Sequence, residues 1–310
     1  MERINSKSHP CNPFNPLTMQ LKPLFRAFLH TLIAWLALLA IVLVIASFYV
    51  PQILSWTLRT FSPPVEPTPL PPTLLAPRGE MPAGVVGLEE QVQYEGERYQ
   101  LVGSGFFLRL GDGTVIGVTT EHASAALGLP DNTLEHIAFA VNGQPGHVVE
   151  FDTLYGPPGA PRSGLDLSID YVLLKVEDPL QGVEDPLQGM DQPIDPALLL
   201  APDPRGAPQP GERVSLFSGL GDGHGNRREL MGTVQSADAK GIWVLMDDMF
   251  NAGRMSGSPL VSQHTGQVVG MAIAVVPRAD RIEIGFHPIG HIVQVAEAAR
   301  EFPKIAEYRR

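Results

Sequence analysis

Residues 252–262 read AGRMSGSPLVS. Glycine and serine crowd against a proline and an apolar run follows, the composition of a tight turn that opens a β-strand. A second reading is chemical, because a turn ahead of a strand can present Ser256 as a nucleophile. A serine hydroxyl attacks only when a general base takes its proton, and that base needs a carboxylate to orient it. The stretch therefore sets a condition on the rest of the chain: a histidine at the end of one strand and an aspartate beside another.

The chain meets that condition. In TVIGVTTEHASA, residues 114–125, His122 follows a β-rich run and precedes small residues suited to a turn. In LDLSIDYVLLKV, residues 165–176, Asp170 stands immediately before a long apolar strand pattern. Asp166 competes for the carboxylate role, but Leu-Ser-Ile-Asp follows it rather than an apolar run, so Asp170 is preferred.

The flanks are β throughout. QLVGSGFFLRL, the turn GDG and TVIGVTT read as a hairpin, and HIAFAVN, HVVEFDTLY and DYVLLKV follow. The second half offers RVSLFSG, ELMGTVQSA, GIWVLMD, PLVSQ, QVVGMAIAVV and RIEIGFH. About a dozen short strands with no strong helix between them suggest two antiparallel barrels or a sandwich. Only the end has helical spacing, with Ile292, Val295, Ala296, Ala299 and Phe302 on one face after Gly290.

The three segments, in the order His, Asp, Ser, resemble those of trypsin-like (chymotrypsin-fold) serine proteases, in particular the disulfide-free bacterial HtrA-type and glutamyl-endopeptidase-type enzymes. VTTEHA is similar to the family's histidine segment, DYVLLKV to its aspartate segment, and MSGSPLV to its nucleophile segment in the variant with Ser258 at the second glycine. TGQVVGMAIAV looks like the hairpin that follows, and IGFHPIGHIVQVAEAA like the final strand and C-terminal helix; the resemblance covers residues 84–300. It implies an all-β domain of two antiparallel six-stranded barrels with a C-terminal helix. It also implies catalytic His122, Asp170 and Ser256, and an oxyanion hole made by the backbone N–H groups of Arg254 and Ser256. By the same resemblance the specificity pocket has its base near Phe250 and one wall along Ile273, Ala274 and Val275. The substrate is then a protein or peptide, and no metal or cofactor is required. Two positions depart from the pattern. Met255 stands where Asp or Asn is usual, which points away from activation by a freed amino terminus. Arg254 stands where glycine is usual, and a side chain restricts the backbone there. Arg254 favours the alternative of a catalytically inactive domain serving as a tethered binding or sensing module.

Charge and hydropathy divide the chain further. Residues 1–26 carry a net +3, residues 27–50 no charge, and the rest the remaining −14 of a formal −11. AFLHTLIAWLALLAIVLVIASFYV, residues 27–50, is long enough to span ~36 Å as a helix, so a single transmembrane helix is expected. The basic flank places residues 1–26 in the cytoplasm and the domain outside the cell membrane. Residues 51–83 are Pro-rich and read as an extended spacer, with residues 84–310 forming the domain. The acidic balance argues against a nucleic-acid partner. The single cysteine, Cys11, excludes an intrachain disulfide, and the nine histidines are scattered along the chain and give a zinc site little support. LGDGHGN at 220–226 is glycine-rich, but a strand pattern follows it rather than a phosphate-binding helix. VEDPLQG occurs at 176–182 and again at 183–189; its prolines and glycines forbid a continuous helix, so it reads as a duplicated loop.

Overall fold

A computed structural model of the 310-residue chain describes residues 28–43, 57, 67–68, 70–71, 79–83, 86–124, 133–144, 146–162, 164–176, 194–220, 229–278 and 280–308. Most of the VEDPLQG repeat and of LGDGHGN lies outside the described residues. The chain divides into two compact units, Met1–Leu54 and Ser55–Arg310.

In the first unit, α1 (residues 28–43) is sixteen residues long. The expected 24-residue membrane-crossing helix is not found. Among the described residues no helix is long and apolar enough to cross a membrane, and the rest of the 27–50 run lies outside them.

The second unit is built on two sheets. The first contains β1 (Leu88–Tyr94), β2 (Gln100–Arg109), β3 (Val115–Thr119), β4 (Leu134–Ala140), β5 (Val149–Phe151), β6 (Val172–Lys175) and β7 (Leu199–Leu200). Their order is β5-β4-β1-β2-β3-β6. β7 is a two-residue parallel addition to β2, so this half has seven strands rather than the expected six. The sheet curls shut where Leu154, just past β5, bridges Leu174 of β6. Gly113, at φ 92°, makes the expected β2–β3 turn, in which the Leu110 N–H donates to the Thr114 carbonyl. Phe107, Phe139 and Phe151 fill the interior, Phe139 meeting both others edge to face. Such ring pairs are each worth ~1 kcal/mol beyond the area they bury.

The second sheet is a closed barrel of β8 (Arg213–Phe217), β9 (Glu229–Asp238), β10 (Gly241–Met246), β11 (Pro259–Ser262), β12 (Val268–Pro277) and β13 (Ile282–Pro288), ordered β10-β13-β12-β11-β8-β9. All six residues of β10 are buried, which matches its continuous apolar sequence, and all seven of β13 are buried too, Glu283 and His287 included. One core joins the halves: Phe106, Leu108 and Val118 from the first sheet pack with Val261, Val268 and Met271 from the second.

α2 (Ile289–Ala298) starts directly at Pro288, one residue earlier than the Gly290 signal suggests, and buries Ile289, Ile292 and Ala296. Ala299 is its C-cap, and Phe302 lies beyond it against the Tyr155 ring at 5.1 Å. The chain then returns to the first sheet. Leu154 N–H donates to the Pro303 carbonyl, Ile305 N–H donates to the Asp152 carbonyl, and the Ile305 side chain is buried in that core.

The described parts of the Pro-rich stretch lie on the second barrel rather than standing free. The Gly79 N–H donates to the His264 carbonyl at 2.7 Å. The Thr68 carbonyl is so close to Gly211 that a Cβ there would meet it at 2.6 Å. An extended proline-rich backbone leaves its polar groups unpaired, and these contacts are where some of them go.

Candidate active site

The sequence spreads His122, Asp170 and Ser256 over more than 130 positions, and the strand ends bring them together. β3 stops at Thr119, and the part-buried turn after it carries His122. Asp170 lies two residues before β6, and β3 and β6 are hydrogen-bonded neighbours. Ser256 comes from the loop between β10 and β11 of the second barrel. His122 Nδ1 is 2.8 Å from Asp170 Oδ2, and His122 Nε2 is 2.8 Å from Ser256 Oγ. A carboxylate only accepts, so Nδ1 carries the hydrogen. In a neutral ring Nε2 is then an acceptor, positioned to take the Ser256 hydroxyl proton.

Asp170 is completely buried, and four N–H groups converge on it. Oδ1 accepts from the backbone N–H groups of Glu121 at 2.9 Å and His122 at 3.1 Å; Oδ2 accepts from the Arg162 N–H at 3.1 Å besides the His122 ring. Two of these donors belong to the histidine's own turn, so the carboxylate fixes the backbone that carries the ring as well as the ring. Asp166 is placed elsewhere and accepts from the Ser168 N–H and hydroxyl in a local turn.

Behind Asp170, His287 of β13 reaches the Asp170 carbonyl through Nδ1 at 3.3 Å and His291 Nδ1 through Nε2 at 3.0 Å. Burial pushes His287 down to about 4. It is therefore neutral near pH 7, donating from Nδ1 to the carbonyl and accepting at Nε2 from His291.

The nucleophile loop is held by backbone contacts. Ser104 of β2 donates its N–H to the Ser256 carbonyl at 2.8 Å and its hydroxyl to the Arg254 carbonyl at 3.1 Å. Gly257 donates to the Ala272 carbonyl at 2.8 Å. It lies at φ 92°, and a Cβ there would fall 1.7 Å from the Ser104 carbonyl oxygen, so only glycine fits. Met255, where the resemblance leads one to expect Asp or Asn, is buried among Val214, Leu216 and Leu260. Apolar burial anchors this loop in place of an ion pair.

Ala252 to Met255 form a turn closed by the Met255 N–H and the Ala252 carbonyl at 3.3 Å. Arg254 is the only non-glycine residue with positive φ among the described residues, at 63°. Positive φ at the third position makes the turn type II, in which the central Gly253–Arg254 peptide is turned over relative to type I. Neither the Arg254 nor the Ser256 N–H is taken by an acceptor among the described residues. The left-handed region costs an ordinary side chain ~1 kcal/mol, so the glycine expected here is replaced at a cost but the glycine-like conformation is kept.

Beside Ser256 is a cavity of about 10 Å³, lined by Ala252, Met255, Ile284 and the β12 residues 272–275. Ile273, Ala274 and Val275 are among the residues that line it. Phe250 is not; it is half-buried and packs on the second-barrel core instead. Asp247 and Asp248 are both exposed, so neither sets a charge in this cavity.

Sequence reasoning missed Glu90, Ser104, Thr119 and Ser124. The signal for Glu90 was its register: Leu88, Glu90 and Val92 alternate on one face of β1, and all three are completely buried. No cluster of His, Cys, Asp and Glu able to hold a metal occurs among the described residues.

No family model matches the chain, and no curated protein matches it either. Among solved structures it is similar to an inactivated protease paralogue of the scabies mite, at 17% identity over 69% of this chain and 94% of that one, TM-score 0.41. It is also similar to a thermostable serine protease from an extremophilic microorganism, at 10% identity over 69% and 97%, TM-score 0.42. The human heparin binding protein gives 12% identity over 72% and 94%, TM-score 0.47. Likeness at this level assigns no residue a role.

Proposed function

We propose that the chain is a serine endopeptidase. The observation that carries this reading is the unbroken chain from buried Asp170 through His122 to Ser256, with both links at 2.8 Å. Ser256 Oγ attacks the substrate carbonyl while His122 Nε2 takes its proton, giving a tetrahedral oxyanion that the Arg254 and Ser256 N–H groups receive. Collapse expels the amine, which takes the proton from His122 and leaves an acyl-enzyme. Water, deprotonated by the same nitrogen, hydrolyses the ester and restores the serine. Asp170 holds the tautomer and stabilises the imidazolium.

The cavity beside Ser256 has room for about one water and no charge, which supports cleavage after small apolar residues. The same small volume is what favours the second reading, a catalytically silent binding domain. A serine-directed fluorophosphonate separates the two: the enzyme is labelled at Ser256, whereas the binding domain is not labelled although folded. A peptide library offered to the labelled-competent protein then reads the preference, and dominant cleavage after Lys, Arg, Asp or Glu overturns the apolar assignment.

The turn at Arg254 gives a finer test. Arg254→Gly, which accepts positive φ freely, keeps the labelling rate. Arg254→Val resists that conformation, turns the peptide over and withdraws one donor, so the rate falls ~10²–10³-fold. Equal rates in the two variants dismiss the Arg254 N–H as an oxyanion donor.

We also propose that residues 27–50 anchor the domain to the cell membrane, with residues 1–26 cytoplasmic. α1 leaves Phe28, Ile33, Trp35, Leu36 and Leu43 exposed, a surface that water does not favour but lipid does. Release of the full chain from membranes by alkaline carbonate contradicts this.

A further inference from the structure

Glu90 is completely buried on β1, and its two oxygens face the histidine turn. Oε1 accepts from the Ser124 hydroxyl at 2.9 Å, and Oε2 is 2.7 Å from the Thr119 hydroxyl. Thr119 and Ser124 bracket His122. On the neighbouring strand Glu90 is opposite Gly103, where a Cβ would come within 2.6 Å of Glu90 Oε2, 3.1 Å of the Ala123 Cβ and 3.2 Å of the Ser256 carbonyl oxygen. The missing side chain of Gly103 is therefore what lets the buried carboxyl, the histidine turn and the nucleophile loop meet at one point.

Hydrogen counting decides the state of that carboxyl. The Thr119 hydroxyl has one hydrogen but two oxygens within reach, Glu90 Oε2 at 2.7 Å and the Ser104 carbonyl at 2.9 Å. If Glu90 is ionised, one of these acceptors loses the hydrogen, in a place closed to bulk solvent. If Glu90 is protonated on Oε2, it donates to the Thr119 oxygen, and Thr119 donates onward to Ser104, so every group is satisfied. Ser104 is the residue whose N–H and hydroxyl hold the Ser256 and Arg254 carbonyls.

We infer that Glu90 is a positioning residue whose proton completes a relay, Glu90 to Thr119 to Ser104, that clamps the nucleophile loop against the histidine turn and releases as the proton is lost. This deepens the protease reading and rests on it only for its effect on rate. The ionisable groups acting on Glu90 are His122, which draws its proton affinity down, and Asp170, which pushes it up; Tyr94, on the same strand, feels its charge. Phe139 faces it from β4 and Gly103 from β2, neither charged. Burial outweighs the two hydroxyls and raises the carboxyl to about 7 from an ordinary 4.5, which places the release near neutrality.

A carboxyl raised on folding contributes stability that is whole below its unfolded value and is lost as pH rises to the folded one. Between about pH 5 and pH 8 the Tm of the full chain should therefore fall relative to Glu90→Gln, whose amide keeps a donor towards Thr119 at every pH. Over the same range amide exchange at Ser104 should speed up about tenfold in the wild type relative to the variant, the order of one hydrogen bond. Fluorophosphonate labelling of Ser256 should slow by a similar factor in that ratio. Flat wild-type-to-variant ratios of both Tm and Ser104 exchange with pH overturn the relay. Absence of labelling at every pH sinks the protease reading instead and leaves the exchange measurement to decide the relay. Should E90Q not fold, Thr119→Ser keeps the hydroxyl and the pH-dependent protection, and Thr119→Val loses both; the same protection in the two overturns the proposal.

Discussion

Ser256→Ala is expected to abolish fluorophosphonate labelling and to lower peptide hydrolysis ~10⁶-fold, with almost no change in stability. The loss is large because the nucleophile itself disappears, leaving only background catalysis from substrate binding and the oxyanion donors. The stability should hold because the loop does not depend on the hydroxyl. Among the described residues its Oγ hydrogen-bonds only to His122, whereas the loop is fixed by Ser104, by the Gly257–Ala272 hydrogen bond and by buried Met255. A surface-type change of within ~0.5 kcal/mol is the expected cost. Labelling rate and thermal melting of both proteins check this. A wild type that folds but neither labels nor cleaves supports the binding-domain reading, and labelling that persists in the variant removes Ser256 from the mechanism.

Asp170→Asn should act on both rate and fold. The amide offers hydrogens on one of its two atoms, and each of the two carboxylate oxygens now accepts from a pair of N–H groups. If the NH₂ faces His122 and Arg162, the ring loses its partner and turns to the tautomer that cannot take the serine proton, for a fall of ~10⁴ in kcat. If it faces Glu121 and His122 N–H groups, the turn bearing the histidine opens. Either way a donor meets donors in a completely buried place, at ~1–3 kcal/mol. A variant with wild-type kcat excludes Asp170 from the triad. Lost activity with wild-type melting locates its effect in tautomer selection alone.

What the sequence made legible was short-range and patterned. Asp170 could be chosen over Asp166 because an apolar strand follows it, and a strand start is a fixed place beside its neighbour. The hairpin of β2 and β3 followed from its GDG turn, where Gly113 supplies the positive φ. The closure of the first sheet did not show, because a single bridge between Leu154 and Leu174 leaves no periodic trace. Phe250 was misplaced for a similar reason: counting back from the serine gives chain distance but not which way a half-buried ring turns. Arg254 could be flagged as a departure, but whether its turn was type I or type II is a backbone torsion that arginine does not announce. Glu90 was legible in principle, since a glutamate in phase with Leu88 and Val92 must enter the core. What it faces there depends on Gly103 and the histidine turn, brought to it from other strands.

The return of residues 303–305 to the first sheet has a consequence for biosynthesis. Chains leave the ribosome amino end first, and the strands carrying His122 and Asp170 emerge long before the piece that pairs with residues 152–154 and buries Ile305. The first sheet thus waits unfinished until residues 303–305 have been made, and Ser256 too is delivered after it. A nascent polypeptide stalled anywhere before that point holds no complete charge of base, acid and nucleophile on a finished scaffold. On the endopeptidase reading proposed above this amounts to a built-in delay: the growing chain cannot digest itself or its neighbours at the exit tunnel before residues 303–305 have joined the first sheet.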